Sequence, residues 1–150
     1  PYVYLDKQAI GRNNLDIDAV SRVLAAELRK EKGISNAIAS ADLLEGNIAN
    51  TALNTSVLRN YNPRRSGEIY LVFEPYWFIN DFDGLTVATT HGSPWKYDQH
   101  VPVIFIGNGL EAAKIYRRIE TVDVASTLSH YLNIKIPSGA SGAALKEVLE

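Results

Sequence analysis

Hydrophobic positions recur along this chain at two spacings, about two residues and about 3.6 residues. The longer spacing predicts the clearest helix. Residues 16–32 carry four aliphatic side chains at the 3.6-residue spacing of one helical face, namely Ile17, Val20, Leu24 and Leu28. Asp16 stands where a side-chain oxygen caps a helix, and Gly33 stands where helices commonly end. The pattern therefore predicts a capped, amphipathic helix over 16–32.

Shorter apolar runs between polar turns predict strands and further helices. We expect strands over 2–5, 34–40, 68–73, 85–90, 101–106 and, briefly, 119–122, and a loop over 6–14. Helices are predicted over 42–59, over 123–131 with Asp123 as the cap, and over a turn or two of 143–149. Because strands and helices alternate in the first half, a βαβ core is favoured. The predicted fold class is α/β, a partial mixed β-sheet flanked by helices.

Composition narrows the classes of protein to which the chain can belong. At 150 residues with 46% hydrophobic content, it can form one cored domain or a large piece of one. A net charge of −2 gives no electrostatic reason to expect nucleic acid or an anionic membrane surface as a partner. The apolar runs are too short to span a bilayer. We therefore expect no nucleic-acid and no membrane partner.

Two absent residue types also inform the prediction. The chain has no methionine and starts at Pro1, so we expect it to be a piece of a longer polypeptide. It has no cysteine, so a disulfide or a thiolate metal site is excluded. Any metal would have to be held by His, Asp or Glu, which suits zinc or a harder cation.

His91 is the sharpest candidate for chemistry. It follows the apolar run 85–89, and Gly92 and Pro94 turn the chain away directly after it. This places an imidazole at the carboxyl end of a predicted central strand, where open α/β sheets bind ligands. A neutral imidazole is a good zinc ligand. The alternative, a histidine with an ordinary satisfied hydrogen bond, stays open on the pattern alone.

The case for a role in chemistry is weaker for the neighbouring polar side chains. Asp98 is a candidate to orient a ligating imidazole, and His100 lies just before the next apolar run. The alternative for both is that they satisfy backbone groups of the 91–102 loop. His130, near the end of the last long helix, is expected to favour the helix dipole.

Two further clusters allow a functional and a structural interpretation. Arg64 and Arg65 either contact phosphate, which a guanidinium fork matches, or anchor their own turn. The aromatic residues 76–78 either line a substrate cleft or form a hydrophobic cluster under a loop, and the structural interpretation is favoured for both sets.

One stretch reads as the motif HGSPxxYDxHVP, with His91-Gly92-Ser93-Pro94, Tyr97-Asp98 and His100-Val101-Pro102. It closely resembles the C-terminal part of bacterial alkaline phosphatases of the type I phosphodiesterase/nucleotide pyrophosphatase kind. The similarity continues through 103–105, 107–109 and 121–128, and upstream through 62–68. It covers most of the chain, and its motifs are most specific from 62 to 142.

The resemblance implies an alkaline-phosphatase-like fold in which residues 1–150 are a C-terminal piece of a larger metallo-phosphatase domain. The implied full-length protein is a periplasmic or secreted hydrolase of phosphate monoesters with a pair of zinc ions. The resemblance makes His91 one zinc ligand and places the other ligands and the Thr or Ser nucleophile upstream. Thr89 and Thr90 do not match that nucleophile. We therefore expect no catalytic residue in this chain and no activity from it alone.

One alternative belongs to a different class of function. The chain could be a non-catalytic binding or interaction domain that retains the fold. Because cutting a sheet exposes a strand edge and an apolar face, a homodimer is one way in which the piece could cover itself.

Overall fold

The computed structural model describes residues 1–82 and 84–149, which fall into two compact units, 1–100 and 101–150. The first unit contains, in order, β1 (Tyr2–Val3), α1 (Lys7–Arg12), α2 (Ile17–Leu28), β2 (Ile34–Ala39), α3 (Ser40–Glu45), α4 (Ala52–Asn60), β3 (Ile69–Phe73), β4 (Asp81–Phe82), β5 (Leu85–Thr86) and α5 (Lys96–Gln99). The second contains α6 (Asp123–Tyr131) and α7 (Lys146–Leu149). That the 150 residues are part of one larger domain stays a prediction.

The main sheet of the first unit has three strands in the order β1-β3-β2. β3 pairs antiparallel with both neighbours, with Tyr70 opposite Tyr2 on one side and Ile38 on the other. β1 and β2 therefore run in the same direction, and α1 and α2 form the connection between them. The predicted α/β class is confirmed, with β3 inserted between the two strands that the helices join.

Side chains along β2 and β3 alternate between the two faces of the sheet, so both faces carry apolar side chains. Helices cover both of these faces. One face carries Ala37, Ala39 and Ile69, which pack with Ala25 of α2. The opposite face packs with α3 and α4, and its buried cluster consists of Ile38, Leu43, Val57, Tyr70 and Val72. Burial on both faces explains why every residue of β3 is aliphatic or aromatic.

The predicted helix over 16–32 is confirmed as α2, which is shorter at its C-terminal end. Asp16 caps it as expected, since its Oδ1 accepts hydrogen bonds from the N–H groups of Asp18 and Ala19. The predicted loop over 6–14 is wrong, because it contains α1. Asp6 caps α1 in the same way, through the N–H groups of the second and third helical residues.

The predicted helix over 42–59 is two helices, α3 and α4. α3 ends at Gly46, whose φ of +75° lies in the left-handed region that terminates helices. α4 begins after Thr51, whose hydroxyl oxygen accepts a hydrogen bond from the N–H of Asn54. The strands over 34–40 and 68–73 are confirmed as β2 and β3, and the strand over 2–5 is reduced to β1.

Three other strand predictions need correction. The strand over 85–90 is only the two residues of β5, which pairs with β4 in a separate ribbon, so His91 does not follow a central strand. Residues 101–106 and 119–122, all of them described, form no strand. An apolar run becomes a strand only where another strand offers hydrogen bonds, and sequence pattern does not reveal whether that partner is present.

Side-chain hydrogen bonds join α6 to the chain before α7 in the second unit. Thr127 Oγ1 accepts from the N–H of Leu145 at 3.0 Å, and Ser126 Oγ donates to the carbonyl of Gly142 at 2.7 Å. Helix α6 agrees with the predicted bounds, but Asp123 is its first residue and not its cap. Its carboxylate instead accepts from the N–H groups of Glu120 and Ala143.

We predict that Gly142→Ala destabilises the chain by roughly 1–3 kcal/mol, because the added methyl group would overlap backbone atoms of Val122 and Asp123, which no rotamer change relieves. Gly139→Ala is the matched control, since a Cβ there meets no atom within 4 Å. Urea unfolding of both variants and the parent sequence measures the difference. Equal stability of the two variants would contradict the close approach at Gly142.

The helices in the described part of the chain are all too short or too polar to cross a membrane.

Candidate functional site

The loop that carries His91 is closed by a carboxylate from the short helix that follows it. Asp98 on α5 accepts a hydrogen bond from the N–H of Ser93 at 2.9 Å. The Asp98 pKa is lowered from its ordinary value, chiefly because the Ser93 side chain and backbone N–H both hydrogen-bond the ionised carboxylate. Gly92 has a φ of +100°, which favours glycine, and so permits the sharp turn between His91 and Ser93. Residues 91–98 are therefore a closed turn with an ionised acceptor at its base.

Aromatic side chains attach this turn to the rest of the first unit. Trp95 packs against the core cluster of β3, and its Nε1 donates to the carbonyl of Phe73 at 2.9 Å. The hydroxyl of Tyr97 accepts a hydrogen bond from the N–H of Tyr76 at 2.9 Å, and the two rings stack with centroids 4.8 Å apart. Gln99 Nε2 donates to the hydroxyl oxygen of Ser56 on α4. Three residues of the 95–99 segment thus fix the turn to β3, to α4 and to the loop that follows β3.

The imidazole of His91 points away from the protein. Its side chain is 93% exposed, and its Nδ1 lies 3.9 Å from Asp98 Oδ1. That distance is about 1 Å longer than a hydrogen bond. The ring therefore has a carboxylate on its Nδ1 side and an unobstructed Nε2, which is the arrangement in which an imidazole can act as a metal ligand.

The other two histidines lie in different settings. His100 is exposed, and its backbone N–H donates to the carbonyl of Lys96. The ring of His130 lies 2.9 Å, through Nδ1, from the Ser126 carbonyl one helical turn earlier. The structure thus brings Asp98 beside His91, while the His100 N–H and the His130 ring each pair with a backbone carbonyl.

The remaining candidates are dispersed over the first unit. Arg64 and Arg65 are exposed in a turn closed by Ser66 and Asn62, and within the described residues their side chains form no hydrogen bond or ion pair that would anchor the turn. Among the aromatic residues, Trp77 lies against Gly33 with the Lys32 ammonium 5.8 Å from its ring. The sequence analysis did not identify Trp95 as an anchor of the turn. Its position inside the motif HGSPxxYDxHVP could have indicated this role.

The described His, Asp and Glu side chains can contribute one ligand to a metal site, but they do not form a complete site by themselves. Over residues 1–82 and 84–149, no group of three or more His, Cys, Asp or Glu side chains lies close enough to hold an ion. A catalytic zinc site normally takes three protein ligands. Within the part of the chain that the structure describes, His91 therefore belongs to no group of side chains that could hold a metal ion by itself.

Comparison with known proteins shows similarity along nearly the whole chain. No family model matches it. It is 32% identical over 148 residues to a protein named calcium-transporting ATPase from Myroides odoratus, and 30% identical over 152 residues to alkaline phosphatase PafA from Elizabethkingia meningoseptica. It is 29% identical to alkaline phosphatase PhoV from Synechococcus elongatus. The matches cover 98–99% of this chain and 26% of each relative, so the chain spans about a quarter of their length.

A solved structure shows the same arrangement of elements. The crystal structure of wild-type alkaline phosphatase PafA superposes with a TM-score of 0.85 at 28% identity, covering 99% of this chain and 28% of that one. The predicted alkaline-phosphatase-like fold is therefore confirmed for the part of that structure which the chain matches.

Proposed function

Because this chain is a relative of alkaline phosphatases in both sequence and fold, we propose that it is part of a zinc-dependent phosphate monoesterase to which it contributes His91 as one metal ligand. The observation that carries the proposal is the exposed His91 imidazole, held outward on a turn that Asp98, Trp95 and Tyr97 fix in place. Within the alkaline phosphatases, we assign the full-length protein to the type I phosphodiesterase/nucleotide pyrophosphatase branch. We place the full-length protein in the periplasm or outside the cell.

The residues of this chain do three things in the proposed reaction. His91 presents Nε2 to the metal, and the Asp98 carboxylate, 3.9 Å from Nδ1, supplies negative charge on the other side of the ring. The aromatic anchors hold the turn so that little ordering remains when the metal binds. The zinc pair, when bound, supplies positive charge against the oxygens of the phosphate ester. The nucleophile and the other ligands belong to the polypeptide outside this chain.

The full-length protein is expected to hydrolyse p-nitrophenyl phosphate in the presence of zinc, and the isolated 150-residue chain is expected not to. The reason is that one imidazole does not make a catalytic metal site. Release of p-nitrophenolate by both proteins, at equal zinc concentrations, measures the difference. Turnover by the isolated chain, or none by the full-length protein, would refute the proposal.

Asp98→Asn in the full-length protein is expected to weaken zinc binding by about 10-fold, since outer carboxylate partners of ligating histidines have effects of this size. Asparagine keeps an acceptor for the Ser93 N–H but removes the negative charge beside the imidazole. Competition with a chelating dye measures the affinity.

Lys96→Ala is the control for Asp98→Asn, because Lys96 is an exposed residue of the same helix. Zinc affinity that stays unchanged in Asp98→Asn would remove Asp98 as a positioning residue. A loss reproduced by Lys96→Ala would trace the effect to the helix and not to the carboxylate.

A further inference from the structure

Asn108 is the one asparagine of this chain that is followed by glycine. Asn108 and Gly109 lie in a turn of the second unit, in which the N–H of Leu110 donates to the carbonyl of Gly107 at 3.4 Å. Both residues are exposed, so water reaches the side-chain amide. Asparagine is chemically labile, and a following glycine has no side chain to keep the next backbone nitrogen away from that amide. Asn108-Gly109 is therefore the sterically most open asparagine pair in the sequence.

The two groups that would react with each other have no partners. Within residues 1–82 and 84–149, neither the Asn108 side-chain amide nor the Gly109 N–H forms a hydrogen bond. Gly109 has a φ of +79°, in the left-handed region that glycine adopts without strain. A reaction between the two groups therefore breaks no hydrogen bond of the described structure.

The carbonyl between these two groups, in contrast, is held by a donor. Tyr131 on α6 donates its hydroxyl to the Asn108 carbonyl at 2.6 Å. Gly107 leaves room for this contact, since a Cβ there would lie 2.5 Å from the Tyr131 hydroxyl oxygen. The Asn108 carbonyl and the Gly109 N–H belong to one peptide group, so charge left on a deprotonated nitrogen is shared with that oxygen. The hydroxyl is therefore placed to stabilise the ionised peptide, as donors do where an oxyanion develops.

We propose that Asn108 is a site of self-modification, at which the Gly109 nitrogen attacks the Asn108 side chain and the Tyr131 hydroxyl accelerates the attack. The Gly109 N–H gives its proton to a solvent base, and its nitrogen forms a bond to Asn108 Cγ. The bond from Cγ to the side-chain nitrogen breaks, and that nitrogen takes up protons and leaves as ammonium. One water molecule opens the resulting succinimide at either carbonyl, which gives aspartate or isoaspartate. Each conversion thus consumes one water and adds one negative charge to the chain.

Peptide mapping by mass spectrometry measures the conversion after incubation of the full-length protein at neutral pH. The peptide that contains Asn108 is expected to gain about 1 Da, in two forms that chromatography separates as aspartate and isoaspartate. Asn133 is the internal reference, because it is exposed in the same unit but precedes the β-branched Ile134. It is expected to convert at least about 10-fold more slowly. An Asn108 peptide that stays intact, or converts no faster than Asn133, would overturn the proposal.

Tyr131→Phe separates the chemical role of the hydroxyl from a structural one. We expect conversion of Asn108 to slow by about 10-fold, because the ionised peptide loses its donor. A hydroxyl that only held the turn would have the opposite effect, since its removal would loosen the turn and speed up the conversion. A faster rate in Tyr131→Phe would therefore refute the assigned role. The Tm of the variant and its rate at Asn133 report whether the fold has changed.

Two further measurements keep the test decisive if Tyr131→Phe perturbs α6. In urea, the parent sequence and Tyr131→Phe are expected to convert at equal rates, because unfolding removes the hydroxyl from the carbonyl. A difference that persists in urea would show that this hydrogen bond is not its cause. Gly107→Ala retains the hydroxyl but displaces it, so slower conversion is expected there as well. Parental rates in both folded variants would remove Tyr131 from the reaction.

Discussion

His91→Ala in the full-length protein is expected to lower both bound zinc and the hydrolysis of p-nitrophenyl phosphate. Loss of a partner behind a ligating histidine already costs 10–100-fold in affinity or activity, so loss of the ligand itself is expected to cost at least about 100-fold. The folded structure should persist, because the side chain is 93% exposed and packs against nothing that the core requires. Zinc stoichiometry by mass spectrometry and kcat/KM are measured on the same preparation.

His100→Ala is the matched control, because His100 is also an exposed histidine and lies nine residues further along. It is expected to keep zinc and activity within a factor of about two. Full zinc occupancy in His91→Ala would remove His91 from the ligands, whatever its activity. Equal losses in the two variants would show that the effect belongs to the loop and not to the imidazole.

Ile69→Ala is expected to lower the free energy of unfolding of the isolated chain by about 3 kcal/mol. Ile69 is fully buried in β3, which pairs with both other strands of the main sheet, and its side chain packs with Ala25 of α2. Truncation removes three buried carbon atoms and leaves a cavity that the two neighbouring strands hold open. Urea unfolding followed by circular dichroism measures the change.

Ile106→Ala is the same chemical change at a site that is 94% exposed, so it is expected to alter the stability of the isolated chain by less than about 0.5 kcal/mol. A comparable loss in both variants would mean that β3 is not the centre of the core. The two substitutions also test the two units one at a time, because Ile69 lies in unit 1–100 and Ile106 lies in unit 101–150.

The candidate site could be predicted from the sequence as a list of residues and not as an arrangement. The motif around His91 named both His91 and Asp98, because their types and spacing are local properties. It did not reveal that Trp95 would bond to the carbonyl of Phe73, 22 residues earlier, or that the Tyr97 hydroxyl would meet the Tyr76 N–H. These contacts depend on where β3 ends, and they attach the turn that carries the imidazole to the rest of the first unit.

The helices show what the sequence by itself determined. Helices α2 and α6 lie close to the predicted bounds, because periodicity, caps and glycine stops act within one or two turns of chain. The α/β class followed from the same patterns. Only the tertiary structure decided which apolar runs became strands: β3 found two partners, while 101–106, equally apolar, found none among the described residues. The physical reason is that a helix satisfies its own backbone, whereas a strand requires hydrogen bonds from a distant segment.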